Sequence, residues 1–382
     1  MLTHPRNNFD LIRLLAALQV LFNHAAGWLA LPNLPYPYSS IVSCFPGVPI
    51  FFVVSGFLVT RSFLDCHGNV VAFGWRRALR IYPGLWVNLT VILLLLAATG
   101  ALPLWNLGEP RFWRWLVGTF VGGSELPGLV VGRAHFDWTG FYNQFPSSVL
   151  WTITVELGFY VLTPVILLAY RRRGLTLALI ALGAALSLFA ASIMMAWRAT
   201  DLEALKTAAL TYSSAPYFWV FLIGAAITYE WERVHGVFTG KAAYWAALYA
   251  ALCYADLKVF GNIVIDLLAP GPLAIPRMAV LGCLVISFAY TLPQLSRPLR
   301  GIDLSYGIYL YHMLVVFTLR GAGYAEAAWL WFVVLFAPAA IAALSWFLIE
   351  RPMLRLKRTP PTLDALLGWA ALRAAAGKAA GR

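Results

Sequence analysis

One apolar stretch near the N-terminus carries three side chains able to do chemistry: Asp10, Arg13 and His24. Between Arg13 and His24 there is no charge, only Leu, Ala, Val and Phe with one Gln and one Asn. Eleven residues make about three helical turns, or about 16 Å of rise, so the spacing places both on one helix face. Asp10, three residues before Arg13, joins the same stripe. An imidazole titrates near neutrality and can take a proton from a hydroxyl. A guanidinium stays protonated and suits an anion or a polarised carbonyl. The plainer reading is an Asp10–Arg13 pair that anchors the helix end, with His24 bonded to a neighbouring helix.

Other apolar runs hold further polar groups. WTITVELGFY contains Glu156, with Trp151 and Tyr160 nearby. A carboxylate in such a run is protonated or paired, and beside His24 it would orient the ring and favour its charged form. LSYGIYLYH sets Ser305, Tyr309 and His312 at i, i+4 and i+7, one polar face of a helix. His312 reads there as a packing or supporting residue, or as a second candidate base. FFVVSGFL carries Ser55-Gly56, small residues that suit close helix approach. GWRRALRIYPG reads as a loop that gathers Arg76, Arg77 and Arg80. These arginines are either an orientation signal or a phosphate clamp built from forked donors.

The elements that must position these groups are set by composition. Of 382 residues, 61% are hydrophobic and 12% charged, against about 45–50% and about 25% in an ordinary soluble domain. The chain therefore reads as an all-α polytopic membrane protein bundled around a polar passage. Ten spans are expected, near 9–30, 44–63, 84–103, 149–170, 174–196, 215–230, 242–260, 273–292, 303–320 and 327–349. With the N-terminus inside, inner segments carry 19 Lys and Arg and outer segments eight, which predicts that both termini are cytoplasmic. The first span is expected to be kept, because Asp10 and Arg13 interrupt a signal-peptide pattern. The net charge of +12 lies in short clusters between spans, a pattern for membrane lipid and not for nucleic acid. Cys44, Cys66, Cys253 and Cys283 form no close pair in sequence. Neither a disulfide framework nor a zinc site follows from them, and no metal is expected.

Two segments lie outside the spans. Residues 104–148 form a long outer loop with Trp105, Trp113, Trp115 and Trp138. It reads as interfacial anchoring or a half-inserted lid, or as a stacking surface for a sugar. Residues 1–358 form one membrane domain. Residues 359–382 read as a basic, amphipathic cytoplasmic tail lying on the inner membrane surface.

In order, NNFDLIRLLAALQVLFNHA, FFVVSGFLVT, RRALRIYP, WTITVELGFY, SYGIYLYH and IERP (Glu350 to Pro352) resemble the motifs of membrane acyltransferase family 3 over roughly residues 7–358. Members O-acylate polysaccharides, lipopolysaccharide, Nod factors and peptidoglycan. The resemblance implies an inner-membrane acyltransferase that moves an acyl group, most often acetyl, from cytoplasmic acetyl-CoA to an extracytoplasmic glycan or glycolipid. It implies His24 as the catalytic histidine, Arg13 as its essential partner, and Arg77 and Arg80 as CoA-binding residues. Some members carry Arg-x-Arg where this chain has Arg-Arg-x-x-Arg. His24 would act as general base or as an acyl-carrying nucleophile. The competing reading is a transporter or flippase of a lipid-linked glycan, which would also use intramembrane Arg, His and Glu. No inverted halves are visible to support it.

Overall fold

A bilayer offers the backbone no hydrogen-bond partners, so long apolar runs within it must satisfy their own as helices. The computed structural model describes residues 7–32, 38–101, 107–122, 141–142, 146–199, 210–261, 272–293, 295–299 and 301–358. These contain helices and no strand. In chain order the helices are α1 (Phe9–Trp28), α2 (Tyr38–Ser43), α3 (Gly47–Asp65), α4 (Val70–Ala98), α5 (Pro110–Gly122), α6 (Trp151–Ile166) and α7 (Arg173–Ala199). They continue as α8 (Phe218–Tyr229), α9 (Trp231–Phe238), α10 (Ala242–Phe260), α11 (Ala274–Ala289), α12 (Ser305–Gly321) and α13 (Leu330–Ser345). A wider π-helical turn, Trp346–Glu350, joins α13 to the short α14 (Arg351–Arg355).

Each expected span overlaps one of these helices. Five are long and apolar enough to cross a bilayer: Phe9–Trp28, Gly47–Asp65, Val70–Ala98, Arg173–Trp197 and Leu330–Arg355. Among the described residues length and apolarity thus support five of the ten expected spans. The apolar helices Trp151–Ile166, Ala215–Tyr229 and Ala274–Ala289 are shorter, while α10 is diluted by Asp256 and Lys258.

The helices pack in a chain of neighbours. α3 lies along α8, α1 packs between α3 and α12, and α12 also packs on α4 and α13. The contact of α3 with α8 depends on two glycines. A Cβ on Gly56 would stand 1.9 Å from the Phe221 carbonyl oxygen, and one on Gly224 would stand 2.1 Å from that of Val53. The small residues of the FFVVSGFL stretch do bring two backbones together. At the start of α1, Asn8 is fully buried. Its Nδ2 donates to the carbonyls of Phe288 (3.1 Å), Thr291 (2.9 Å) and Leu292 (3.2 Å). One side chain thereby fixes α1 to the end of α11, where helix carbonyls lack partners.

The segment 104–148 departs from a simple loop. Within it α5 packs on α4 and α6, and its last carbonyls accept from Tyr82 Oη (2.8 Å), Trp86 Nε1 (2.9 Å) and Thr154 Oγ1 (2.8 Å). Tyr82 and Trp86 sit midway along α4, so α5 reaches half the depth of that helix, as a half-inserted element would. Trp115 is buried and offers no face to a sugar. Trp105, Trp138 and the tail 359–382 lie outside the described residues.

Candidate active site

The arginines come from a helix, not from a loop. Asn69 caps α4, its side chain accepting from Ala72 N at 2.9 Å, and the helix runs from Val70 through RRALRIYP. The sequence expectation of a span opening near residue 84 started this helix 14 residues late, because Pro83 and the arginine cluster look like a break. Helical spacing instead turns Arg77 and Arg80 to one face, where they meet α1 and α12.

Asp303, just before α12, organises this face. Its Oδ2 accepts from Arg13 Nη1 and Arg80 Nη2. Its Oδ1 accepts from Ser305 Oγ at 2.5 Å and Ser305 N at 3.2 Å. Arg13 is therefore bonded to Asp303, and the anchoring pair expected with Asp10 is not how it is held. Sequence reading missed Asp303. The signal was a carboxylate two residues before the SYGIYLYH motif, on a side of the protein otherwise rich in cations that need partners.

Around this hub lies a cavity of about 750 Å³ whose lining includes Asp10, Arg61, Arg76, Arg77, Asp303 and Lys357. Arg80 is committed to Asp303 and Arg61 faces Asp65 at 3.4 Å. Arg77 is less committed: Nη2 donates to Ser62 Oγ at 3.2 Å, the guanidinium lies 5.7 Å from the centre of the Tyr160 ring, and Nε is buried without a partner. Arg76, Arg77 and Lys357 are the cations best placed to hold an added anion. Burial, then repulsion from Arg80, Arg77 and Arg13, pushes the Lys357 ammonium down to about 8.

Deeper in, Arg13, Leu58, Arg77 and Arg80 also line a chamber of about 90 Å³. Its remaining polar wall includes Ser55, Thr152, Glu156, Tyr160, Tyr306 and Tyr309. Glu156 Oε1 accepts from Tyr160 Oη at 2.5 Å and Ser55 Oγ at 3.1 Å. Glu156 thus belongs to the arginine end and not to His24, contrary to one sequence expectation. α6 presents it to α3 one turn from Tyr160, and those hydroxyls compensate its burial. Glu350, from the IERP motif, is buried beside Gly84. Its Oε1 accepts from Ser345 Oγ at 2.9 Å, while Oε2 meets no partner among the described residues.

Tyr309 closes the chamber at the far end. Its hydroxyl meets Thr152 Oγ1 at 2.7 Å, and its ring packs 5.6 Å from Phe51 and 6.0 Å from His312, centre to centre. The Tyr309 ring thus lies between this chamber and the histidine pair of α1 and α12.

Beyond this partition His24 Nδ1 lies 2.9 Å from His312 Nε2, with the rings nearly parallel at 7°. His312 Nδ1 faces the carbonyls of Tyr309 (2.9 Å) and Ile308 (3.1 Å). Carbonyls only accept, so this nitrogen carries the proton and Nε2 of neutral His312 is an acceptor. His24 Nδ1 must then donate to it, which leaves His24 Nε2 with its lone pair. His312 is fully buried while His24 is partly exposed. One turn on, Trp28 stacks under Arg320, with 5.0 Å from guanidinium carbon to ring centre. The predicted polar face of α12 is realised, Ser305 on Asp303, Tyr309 on the chamber and His312 on His24.

This layout can be set beside known proteins. A family model described as "Acyltransferase domain" matches residues 6–349. The chain is 38% identical to "Nodulation protein 10" of Rhizobium leguminosarum bv. viciae over 92% of its own length and 94% of that protein. It is 28% identical to "Exopolysaccharide production protein ExoZ" of Rhizobium meliloti (strain 1021), over 85% of this chain and 94% of that one. No solved structure matches it. A match across nearly the whole chain, joined to apolar helices that carry buried arginines and a histidine pair, establishes that the protein is a helical membrane protein belonging to the acyltransferase 3 family.

Proposed function

We propose that the protein transfers an acetyl group from acetyl-CoA to a hydroxyl of an extracytoplasmic glycan or glycolipid. The carrying observation is His24, whose Nε2 is left unprotonated by the chain of bonds through His312. In this reading Nε2 takes the proton of the acceptor hydroxyl as its oxygen attacks the thioester carbonyl. The tetrahedral adduct collapses, the carbon–sulfur bond breaks, and the departing thiolate receives that proton from His24. The new ester stays on the acceptor. Arg76, Arg77 and Lys357 suit the anionic nucleotide end of the donor, and Trp28 with Arg320 borders the side from which a sugar would approach. Tyr309 and Phe51 must turn aside for the acyl end to reach His24. The printed names of the two relatives support a polysaccharide-related acceptor.

Inverted membrane vesicles given labelled acetyl-CoA test the reading. Label is expected on glycan, in a form released by mild base. Glycan that crosses the membrane unlabelled would favour a flippase instead.

The same reading places the protein in the bacterial inner membrane with both termini and the arginine end cytoplasmic. Gly74, on α4, is exposed with open space around it. Gly74→Cys on a cysteine-free background is expected to resist an impermeant thiol reagent in intact cells and to react once the membrane is opened. Labelling in intact cells would reverse the orientation.

Lys357 gives the donor site a pH dependence. With its ammonium at about 8, the lysine is charged at pH 7 and mostly neutral at pH 9. The KM for acetyl-CoA is expected to rise across that interval, and Lys357→Arg to flatten the rise, since Arg stays protonated. A KM independent of pH in the parent protein would remove Lys357 from the donor site.

A further inference from the structure

Cys44 and Cys253 lie 209 positions apart in sequence, and the fold brings them together. Cys44 sits in the turn between α2 and α3, and Cys253 lies on α10. Arg277 Nη2 approaches the sulfur of Cys253 to 3.5 Å, Tyr249 lies one turn earlier on the same face of α10, and Cys44 neighbours Cys253. Arg277 is itself almost completely buried and held by Asp256 at 2.5 Å, so its charge is fixed in place. Tyr249 also donates to the Cys44 carbonyl, which binds the turn to α10. Both cysteines keep partial exposure.

A sulfur that accepts from a buried guanidinium is arranged for the thiolate, the form that attacks disulfides. A second cysteine, held against the same face of α10 by the Tyr249 hydroxyl, is arranged to resolve the product. We propose that Cys253 and Cys44 form a redox-active dithiol that closes to a disulfide. The oxidant class is a small or protein disulfide. The Cys253 thiolate attacks one sulfur of that disulfide, its S–S bond breaks, and a mixed disulfide forms. Cys44, as thiolate, then attacks the sulfur of Cys253 and expels the second half of the oxidant. Two electrons pass to the oxidant, which leaves as two thiols carrying both protons. The chemistry stands apart from the proposed acyl transfer. The proposed orientation would add that the pair faces the oxidising side of the membrane, where disulfides persist. The bond would fasten the start of α3, whose Val48 and Phe51 line the inner chamber, to α10.

The test uses the full-length protein in detergent with 4,4′-dithiodipyridine as the probe, followed by peptide mapping without reductant. The expected result is a peptide linked through residues 44 and 253, with no pyridyl group retained on either. Cys44→Ser is expected to stop halfway and keep a pyridyl adduct on Cys253. Stable pyridyl adducts on both cysteines of the parent protein would overturn the proposal. So would failure of both to react in the folded protein when both react after denaturation. The linked peptide is read from the parent protein, so the test does not depend on how well the variant folds.

Discussion

Replacing His24 by Gln is expected to lower kcat for acyl transfer by about 10²–10⁴-fold, the usual contribution of a general base. KM for the donor should change little, because Arg13, which lines the arginine cavity, is about 16 Å from His24 along α1. Gln keeps hydrogen bonding to His312 and loses basicity, so the measurement separates chemistry from packing. His312 acts only through its neighbour. His312→Leu should lower kcat less than His24→Gln, since it removes the acceptor that fixes the His24 tautomer. His312→Asn can return a carbonyl oxygen to that place and should recover part of the loss. Near-parental turnover in His24→Gln at matched expression would make the pair structural and turn attention to Glu156.

Asp303→Ala is expected to have the largest effect on stability. Arg13 and Arg80 both bond one carboxylate oxygen, and their side chains are only 18% and 14% exposed. Removing the shared carboxylate partner of buried charges costs about 3–5 kcal/mol, which thermal unfolding in detergent should show as a clear fall in Tm. The loss should be coupled. Asp303→Asn combined with Arg80→Gln should destabilise less than the two single changes added together, because the double variant leaves fewer unpaired charges. Strict additivity would show that the contacts seen at Asp303 do not support the fold.

How much of this was legible in the sequence depended on how local the signal was. Arg13 and His24 stood out because each is alone in an apolar run, and the structure uses both at sites of chemical interest. Their partners were harder to see. Asp303 resembles an ordinary carboxylate ahead of a helix, and only the fold shows two arginines from α1 and α4 turning to it. Glu156 was visible as an intramembrane acid, but its neighbour could not be read. Depth along one helix does not say which helix lies opposite, and α6 presents Glu156 to Ser55. His312 was visible with its role open, between packing residue and base. The basic cluster was misread as a loop because Pro83 suggests a break, whereas the Asn69 cap fourteen residues earlier marks the true start. The number of spans was less legible for a related reason. Apolar runs of 12 to 16 residues, as in α6, α8 and α11, resemble spans in composition and are shorter than a full crossing. Cys44 and Cys253 gave no sequence signal at all, since pairing across 209 positions is a property of tertiary packing.

The rings of Tyr309 and Phe51 bear on the energy economy of the cell as well as on the fate of an acyl group. Charged cavities open at one end, and a partly exposed imidazole lies beyond them. Were these joined by a continuous file of water, each protein would be a small electrical short across a membrane held under voltage. An elementary charge falling through 100 mV releases about 2.3 kcal/mol, and a proton wire would dissipate that continuously. Two packed aromatics, tied by the Tyr309 hydroxyl to Thr152, stand where such a file would run. On the proposed function, the rings would let a small neutral group by while the bilayer stays insulating.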